Sequence, residues 1–490
     1  MDSLDNVWHA SRRQRPYIEE TFATESIQDG ENAARIATQW DLRITASGAA
    51  RYLQIVDFIE QAIGEGRLMA GDRVPPQRSL AKVLGVDLTT VTRAYNEARR
   101  RQLIEARGAL GTFIAAPRAE LARVVDMSMN VPPPPAGVDF QDLLRRGLNQ
   151  VLLRSDPHLL MTYQLGGGSA SDRSAGALWL APMFGQVDTA RLVVCPGAQA
   201  ALAAVILSRT RPGEAIVTEP LAYPGIRAAA AQLGRRVLIA PCDADGMLPD
   251  ALAAARAEGA TLAYLNPTAQ NPTTHTMPAS RRAEIASAAN RCDIALLEDD
   301  PYWLLTPSAP PPLATFAPER TCYVATLSKA LTPGLRTAYV LLPEGSGGED
   351  LLAALRAFAL MAAPMTAALA TQWIHDGSAM QLLDGIRTEA LARCALASRW
   401  LSGIGQLPPS AIHVWHRLPA QWSAQQLTRA ALAEDLRVTP SDAFWDGPGA
   451  PNAIRISLGG VDSHAQLSLA LRKLAALLER RPASGVEMVV

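Results

Sequence analysis

"ATLSKALTPGLR", residues 325–336, sets a single lysine, Lys329, among small and apolar residues and follows it with Arg336. The chain holds 46 Lys+Arg, almost all of them Arg, so a lysine in this setting asks for a reason. A lysine used chemically presents its amine in a desolvated pocket, where its pKa falls and it can attack a carbonyl. Most lysines are solvated surface charges, so the reading rests on what accompanies this one.

Before and around it, apolar runs such as "RLVVCPG", "EAIVTEP", "TLAYLNP" and "DIALLEDD" alternate with Ala/Leu/Arg-rich helical stretches. Runs without polar alternation suit strands buried on both faces. Their alternation with helices predicts an α/β domain with a largely parallel sheet. Many runs stop at Gly, Pro, Asn or Asp, which gathers polar chemistry at the sheet edge where such folds bind ligands. "LLEDDPYW", residues 296–303, ends a strand in Glu298, Asp299 and Asp300 and reaches Tyr302. A carboxylate there can keep a pyridine nitrogen protonated; Asp299 and Asp300 alone would equally serve a divalent cation. "YLNPTAQNPTTHTMP", residues 264–278, fixes Asn266 and Asn271 in Pro-bounded turns. "VVCPGAQAALAAV", residues 193–205, opens a helix at Ala198 and Gln199, where free backbone N–H groups suit a phosphate.

In this order the motifs resemble the fold-type I, aspartate-aminotransferase-like family of pyridoxal-phosphate proteins, over about residues 126–480. The resemblance implies pyridoxal 5'-phosphate as cofactor, with Lys329 forming the internal aldimine and Asp299 pairing with the pyridine nitrogen. It places Asn271 and Tyr302 at the phenolic oxygen, and Ala198, Gln199, Thr326, Ser328 and Arg336 around the phosphate. Tyr223 in "EPLAYPG" matches the ring-stacking aromatic, and Tyr163 in "TYQLGGG" the tyrosine that a dimer partner lends to the phosphate. Arg455 in "AIRISLGG" matches the arginine that grips an α-carboxylate, for which a bidentate fork is suited. Thr274 departs from the pattern, which usually has Gly after Asn-Pro-Thr.

The N-terminal part reads differently. "RYLQIVDFIEQAI", residues 51–63, has helical apolar spacing. In "RSLAKVLGVDLTTVTRAYNEARRRQLI", residues 78–104, Ala81, Gly85 and Val91 keep the spacing of a helix-turn-helix. Its second helix runs from about Leu88 to Arg101, with Thr89, Thr90, Thr92 and Arg93 near the start that meets base edges. "LIEARGALGTFIAA", residues 103–116, reads as a two-stranded wing. Together with "GDRVPPQRSLAKVLGV" the stretch resembles the winged helix-turn-helix of the GntR family of bacterial regulators over residues 46–116. The resemblance implies double-stranded operator DNA as partner, with Arg78, Thr89, Thr90, Thr92, Arg93, Gly111 and Thr112 as contacts. Leu88 stands where the family usually has a polar or basic residue, and Gly108 is one place from its usual spacing.

The fold class is therefore multidomain: a winged helix-turn-helix followed by a type I α/β transferase fold with a smaller C-terminal α+β part. The expected boundaries are a polar, disordered extension at 1–45, the DNA reader at 46–116, a linker at 117–136 ending in Pro132–Pro135, and the cofactor domain at 137–490, its small part from about 380. Net charge is −1, which gives no sign of a polyanion partner beyond a local basic module. The five cysteines are scattered without CxxC, which argues against a disulfide framework or zinc site and suits a reducing cytoplasm. His413 and His416 have no companion ligands, so no metal is expected. No run is long enough to span a membrane.

A GntR-like reader fused to an aminotransferase-like body is the layout of the MocR subfamily. That layout implies a regulator, head-to-tail as a homodimer, that senses pyridoxal phosphate or an amino compound through aldimine chemistry at Lys329. A working aminotransferase carrying a DNA-binding domain, and a dead scaffold that only dimerises the reader, are the alternatives.

Overall fold

The computed structural model describes residues 50–64, 67–69, 71–101, 103–106, 111–115, 124–404, 407–445, 447 and 449–482. The expected extension at 1–45, Gly108 and residues 117–123 of the expected linker lie outside the described residues. The chain divides into two compact units, with the boundary between Arg123 and Val124.

In the first unit, α1 (Arg51–Gly64), α2 (Gln77–Leu84) and α3 (Leu88–Arg100) surround a core that includes Ile55, Ile59, Leu80, Val91 and Tyr95. Gly85 closes α2 at φ 62°, its N–H bonding Ala81 O, and Asp87 caps α3 by accepting from Thr89 N. This left-handed residue turns the chain between the two helices. The wing has one strand more than the sequence reading gave it. β1 (Arg73–Val74), β2 (Ile104–Ala106) and β3 (Thr112–Ile114) pair antiparallel in the order β1-β3-β2. A two-residue strand is too short to show periodicity, so only its partners were legible.

The second unit opens with β4 (Val125–Asp126) and is built on a seven-stranded sheet. Its strands are β5 (Leu192–Cys195), β6 (Ala215–Thr218), β7 (Arg236–Ile239), β10 (Ala260–Leu265), β11 (Ala295–Asp299), β12 (Thr321–Thr326) and β13 (Ala338–Leu341). A small hairpin, β8 (Cys242–Asp243) and β9 (Gly246–Met247), stands apart. The sheet order is β5-β13-β12-β11-β10-β6-β7, and only β13 runs against its neighbours. Leu262, Ala263, Tyr264 and Leu265 are all buried, as expected of a strand covered on both faces. The carboxyl ends of β10, β11 and β12 therefore bring Asn266, Asp299 and Thr326 to one edge.

A smaller sheet, β14 (His413–Arg417), β17 (Ala453–Ser457) and β16 (Thr439–Pro440), follows, and β15 (Leu436–Arg437) pairs with β4. The helix Ser378–Trp400 serves two cores: Leu382, Leu383 and Ile386 pack on the large-sheet side, and Cys394 and Ala397 on the small-sheet side.

The expected linker at 117–136 needs correction. Residues 124–136 belong to the second unit. Val125 and Asp126 pair with Leu436 and Arg437, and Met127 sits in the small-sheet core. The Pro132–Pro135 run forms neither helix nor strand, as its composition leads one to expect, but it is packed as a strap. A Cβ on Gly459 would lie 1.9 Å from Val131 O, so only glycine lets the strap pass at this distance.

Candidate pyridoxal-phosphate site

Lys329 lies in a one-turn helix, Leu327–Ala330, directly after β12. Thr326 caps that turn by accepting from Ser328 N, which projects the lysine into a cavity of about 700 Å³ at the sheet edge. Its Nζ donates to Asn130 O. Burial, then the Arg455 charge, hold its pKa down at about 8 although Asp299 opposes them. A lowered pKa leaves more of the amine neutral, which is the nucleophilic form.

Asp299 ends β11 with one carboxylate oxygen accepting from Tyr264 Oη at 2.9 Å. The other, Oδ1, is buried without a hydrogen-bond partner among the described residues. Burial pushes this carboxyl up to about 7, against the Tyr264 bond that pulls it down. A buried acceptor left open is costly unless a donor meets it, so the site fits a group that brings a protonated ring nitrogen.

The turn after β10 is held from inside. Asn266 Nδ2 donates to Asp299 O at 2.6 Å, and Asn266 Oδ1 accepts from Asn271 N at 2.8 Å. Asn271 Oδ1 in turn accepts from Arg455 Nη1 at 2.8 Å, while Arg455 Nη2 donates to Ser128 O. Arg282, fully buried, bonds Pro267 O, Thr268 Oγ1 and Met277 O, each at 3.0 Å, and fixes both ends of the turn. Thr274 takes φ 61°, so this turn keeps the left-handed position that glycine usually fills.

The helix α4 (Ala198–Arg209) starts after Gly197, an N-cap with no side-chain acceptor. Gly197 has φ 89°, and a Cβ there would stand 2.9 Å from Arg336 Nη2. The missing side chain lets a guanidinium close on a helix start, a setting for an anion. Gln199 joins this edge to Tyr223, whose hydroxyl donates to Gln199 Oε1 at 3.2 Å.

Pyridoxal phosphate needs an amine, a carboxylate for its nitrogen, an anion cradle and an aromatic neighbour. Lys329, Asp299, the Gly197–Arg336 edge and Tyr223 meet these needs within one cavity wall. Residues 123–474 match the model of the family "Aminotransferase class I and II". The chain belongs to this family. Membership implies pyridoxal 5'-phosphate as cofactor. Residues 51–114 match "Bacterial regulatory proteins, gntR family", which implies DNA binding by the first unit. A Bacillus subtilis protein described as the uncharacterized HTH-type transcriptional regulator YdeF is 26% identical over 452 residues, 90% of this chain and 97% of the relative. The pyridoxine biosynthesis transcriptional regulator PdxR of Corynebacterium glutamicum is 29% identical over 433 residues, 84% of this chain and 92% of the relative. An archaeal alanine:glyoxylate aminotransferase shares the fold, with a TM-score of 0.66 at 23% identity, over 72% of this chain and 90% of that one.

In this family member the cavity collects Ala198, Gln199, Tyr223, Asn271, Asp299, Tyr302, Thr326, Ser328, Lys329, Arg336 and Arg455 together. Tyr163 is not among its lining residues and is 72% exposed. Sequence reasoning missed Ser128 and Asn130 on the strap, and Phe444, over which Arg455 sits at 4.8 Å. The Pro run masked the first two; nothing local marked the third.

In the DNA-reading unit, Arg78 and Thr89 are exposed and Thr90 is half-buried. Thr89 Oγ1 bonds the cap Asp87, and Thr92 Oγ1 bonds Gln77 Oε1 and Leu88 O. Arg93 stacks on Tyr52 at 4.2 Å, Gly111 at φ 110° leaves room for the Arg73 side chain, and Thr112 pairs with Val74. Leu88 is 40% exposed at the start of α3. Among the described residues, no helix is long and apolar enough to cross a membrane.

Proposed function

We propose that this chain is a pyridoxal-phosphate-dependent transcriptional regulator whose DNA affinity follows the state of the Lys329 site. The carrying observation is that one chain joins a gntR-type reader to an aminotransferase-type pocket lined by Lys329 and Asp299. The relatives named as transcriptional regulators span both parts, which supports the same reading.

In this reading Asp299 pairs with the cofactor's ring nitrogen, and Asn271 and Tyr302 serve its phenolic oxygen. Tyr223 lies against the ring, and Ala198, Gln199, Thr326, Ser328 and Arg336 hold the phosphate. When bound, the cofactor supplies an aldehyde that condenses reversibly with primary amines. Lys329 offers the resident amine and moves a proton at its Nζ. Arg455 orients an incoming carboxylate through its planar fork. The effector is pyridoxal phosphate itself or an amino compound with a carboxylate. A few kcal/mol of differential affinity between two conformations is enough to switch DNA binding.

The chain acts as a head-to-tail homodimer in this reading. Leu152, Leu153, Leu159, Met161 and Tyr163 form an exposed apolar run that a second copy would cover, bringing Tyr163 to the partner's phosphate site.

The test uses the full chain and duplexes it selects from a random pool. Affinity should change about fivefold or more with pyridoxal phosphate or with one of a panel of amino acids and amines. Affinity indifferent to all of them refutes sensing. A working aminotransferase is the second reading, favoured by the lowered pKa of Lys329, which suits a general base. Multiple turnovers of amino donor and 2-oxo acid would establish it; a single stoichiometric event would exclude it.

A further inference from the structure

The strap residue Asn130 is 6% exposed and reaches three groups of the site. Its backbone carbonyl accepts from Lys329 Nζ. Its side-chain nitrogen donates to Tyr302 Oη at 2.9 Å and faces His413 Nδ1 at 3.2 Å. His413 is 1% exposed, on β14, with its ring 5.7 Å from that of Tyr302.

These contacts fix directions. With Asn130 Nδ2 placed to donate to Tyr302 Oη, His413 Nδ1 faces an N–H donor and accepts, which leaves the ring proton on Nε2. Burial, and then the Arg455 charge, push the His413 pKa down to about 3, so the ring stays neutral at working pH. The nitrogen end of the Asn130 amide thus stands between the two rings. That nitrogen also donates to Tyr302 Oη, which leaves the Tyr302 hydrogen for another acceptor. With the amide reversed, Asn130 Oδ1 would take that hydrogen and close the tyrosine onto the protein. Tyr302 lines the cavity, and among the described residues no hydrogen bond takes that hydrogen, which directs it to what the cavity holds.

We propose that Asn130 and His413 are positioning residues that keep the Tyr302 hydroxyl available as a donor to the cofactor's phenolic oxygen. The inference rests on the pyridoxal-phosphate reading above. A hydroxyl that accepts a hydrogen bond is a stronger donor. Donation to the phenolic oxygen stabilises its anion and so lowers the pH at which the Lys329–cofactor chromophore titrates. Lys329 is faced by Arg455, Asp299 and Arg336, and Tyr302 by Arg455, Asp299 and Tyr223. None of these charged or titratable neighbours is altered in the variants below, and Asn130→Ala keeps the carbonyl that meets Lys329.

The experiment is a visible-absorbance pH titration of the full chain loaded with pyridoxal phosphate. Asn130→Ala should raise the midpoint by about half to one pH unit, the worth of one hydrogen bond. Tyr302→Phe should raise it at least as far. The double variant should match Tyr302→Phe alone, because Asn130 acts through Tyr302. His413→Phe, which fills the ring's place without an acceptor, should shift the midpoint the same way and serves if Asn130→Ala does not fold. An unmoved midpoint in Asn130→Ala or His413→Phe overturns the proposal. So does a rise from Asn130→Ala that is as large on top of Tyr302→Phe as in the wild-type chain, which would mean direct action on Lys329. A wild-type chain that gains no visible band overturns the cofactor reading itself, an outcome distinct from a band that does not move.

Discussion

The low pKa of Lys329 has a direct kinetic consequence. At pKa about 8, about one amine in ten is neutral at pH 7, against about three in ten thousand at the ordinary 10.5, a ratio of about 300. Capture of pyridoxal phosphate by the cofactor-free chain should therefore rise tenfold per pH unit up to about pH 8 and then level. The causes can be separated. Removing the Arg455 charge with Arg455→Met should move the midpoint up. Removing the Asp299 charge with Asp299→Asn should move it down, since Asp299 raises and Arg455 lowers this pKa. The assay is stopped-flow growth of the visible band from pH 6 to 10, with Nα-acetyl-lysine as the solvated reference. A midpoint near 10.5, or a shift of either variant in the direction opposite to the one given, would refute the reasoning.

The same burial costs stability. The folded pKa lies below the unfolded one, so the penalty is full below about pH 8 and disappears between 8 and 10.5; Lys329→Met should stabilise the cofactor-free chain at pH 7 by about 2 kcal/mol, from about 3 of relieved charge less about 1 for the donor lost at Asn130 O. Urea titrations at pH 7 and pH 10.5 check it, the advantage being gone at the higher pH. Arg282→Ala should cost about 3 kcal/mol or more, because Arg282 and Glu298 are 3.8 Å apart with both side chains fully buried and three acceptors in the 267–277 turn lose their donor; the urea midpoint reads this. Thr274→Gly should raise stability by about 1 kcal/mol or less, relieving a β-branched residue at φ 61°; a loss would show that the Thr274 hydroxyl, which donates to Thr273 O, matters more.

Much of the site was legible because its residues sit where strands stop. Asp299 ends β11, Thr326 ends β12, and Asn266 follows β10, so apolar runs and the polar residues closing them located the edge and its chemistry together. The helix-turn-helix was legible through Gly85, whose left-handed φ the spacing required. The strap was misplaced for a physical reason. Four successive prolines report an extended backbone, which a linker and a packed strap share. What distinguishes them is the approach to Gly459, more than 300 residues away in sequence, and no local pattern carries that. Asn130 and Ser128 were lost with it. The exposed Tyr163 belongs to a different limit, since its proposed role needs a second copy of the chain.

The central claim is that Lys329 is the amine that holds pyridoxal phosphate. Loading the full chain with the cofactor, reducing it with borohydride and weighing its peptides tests this directly. The account predicts one pyridoxyl adduct, on the peptide containing Lys329. An unmodified Lys329, or an adduct on Lys82 or Lys473 instead, contradicts it.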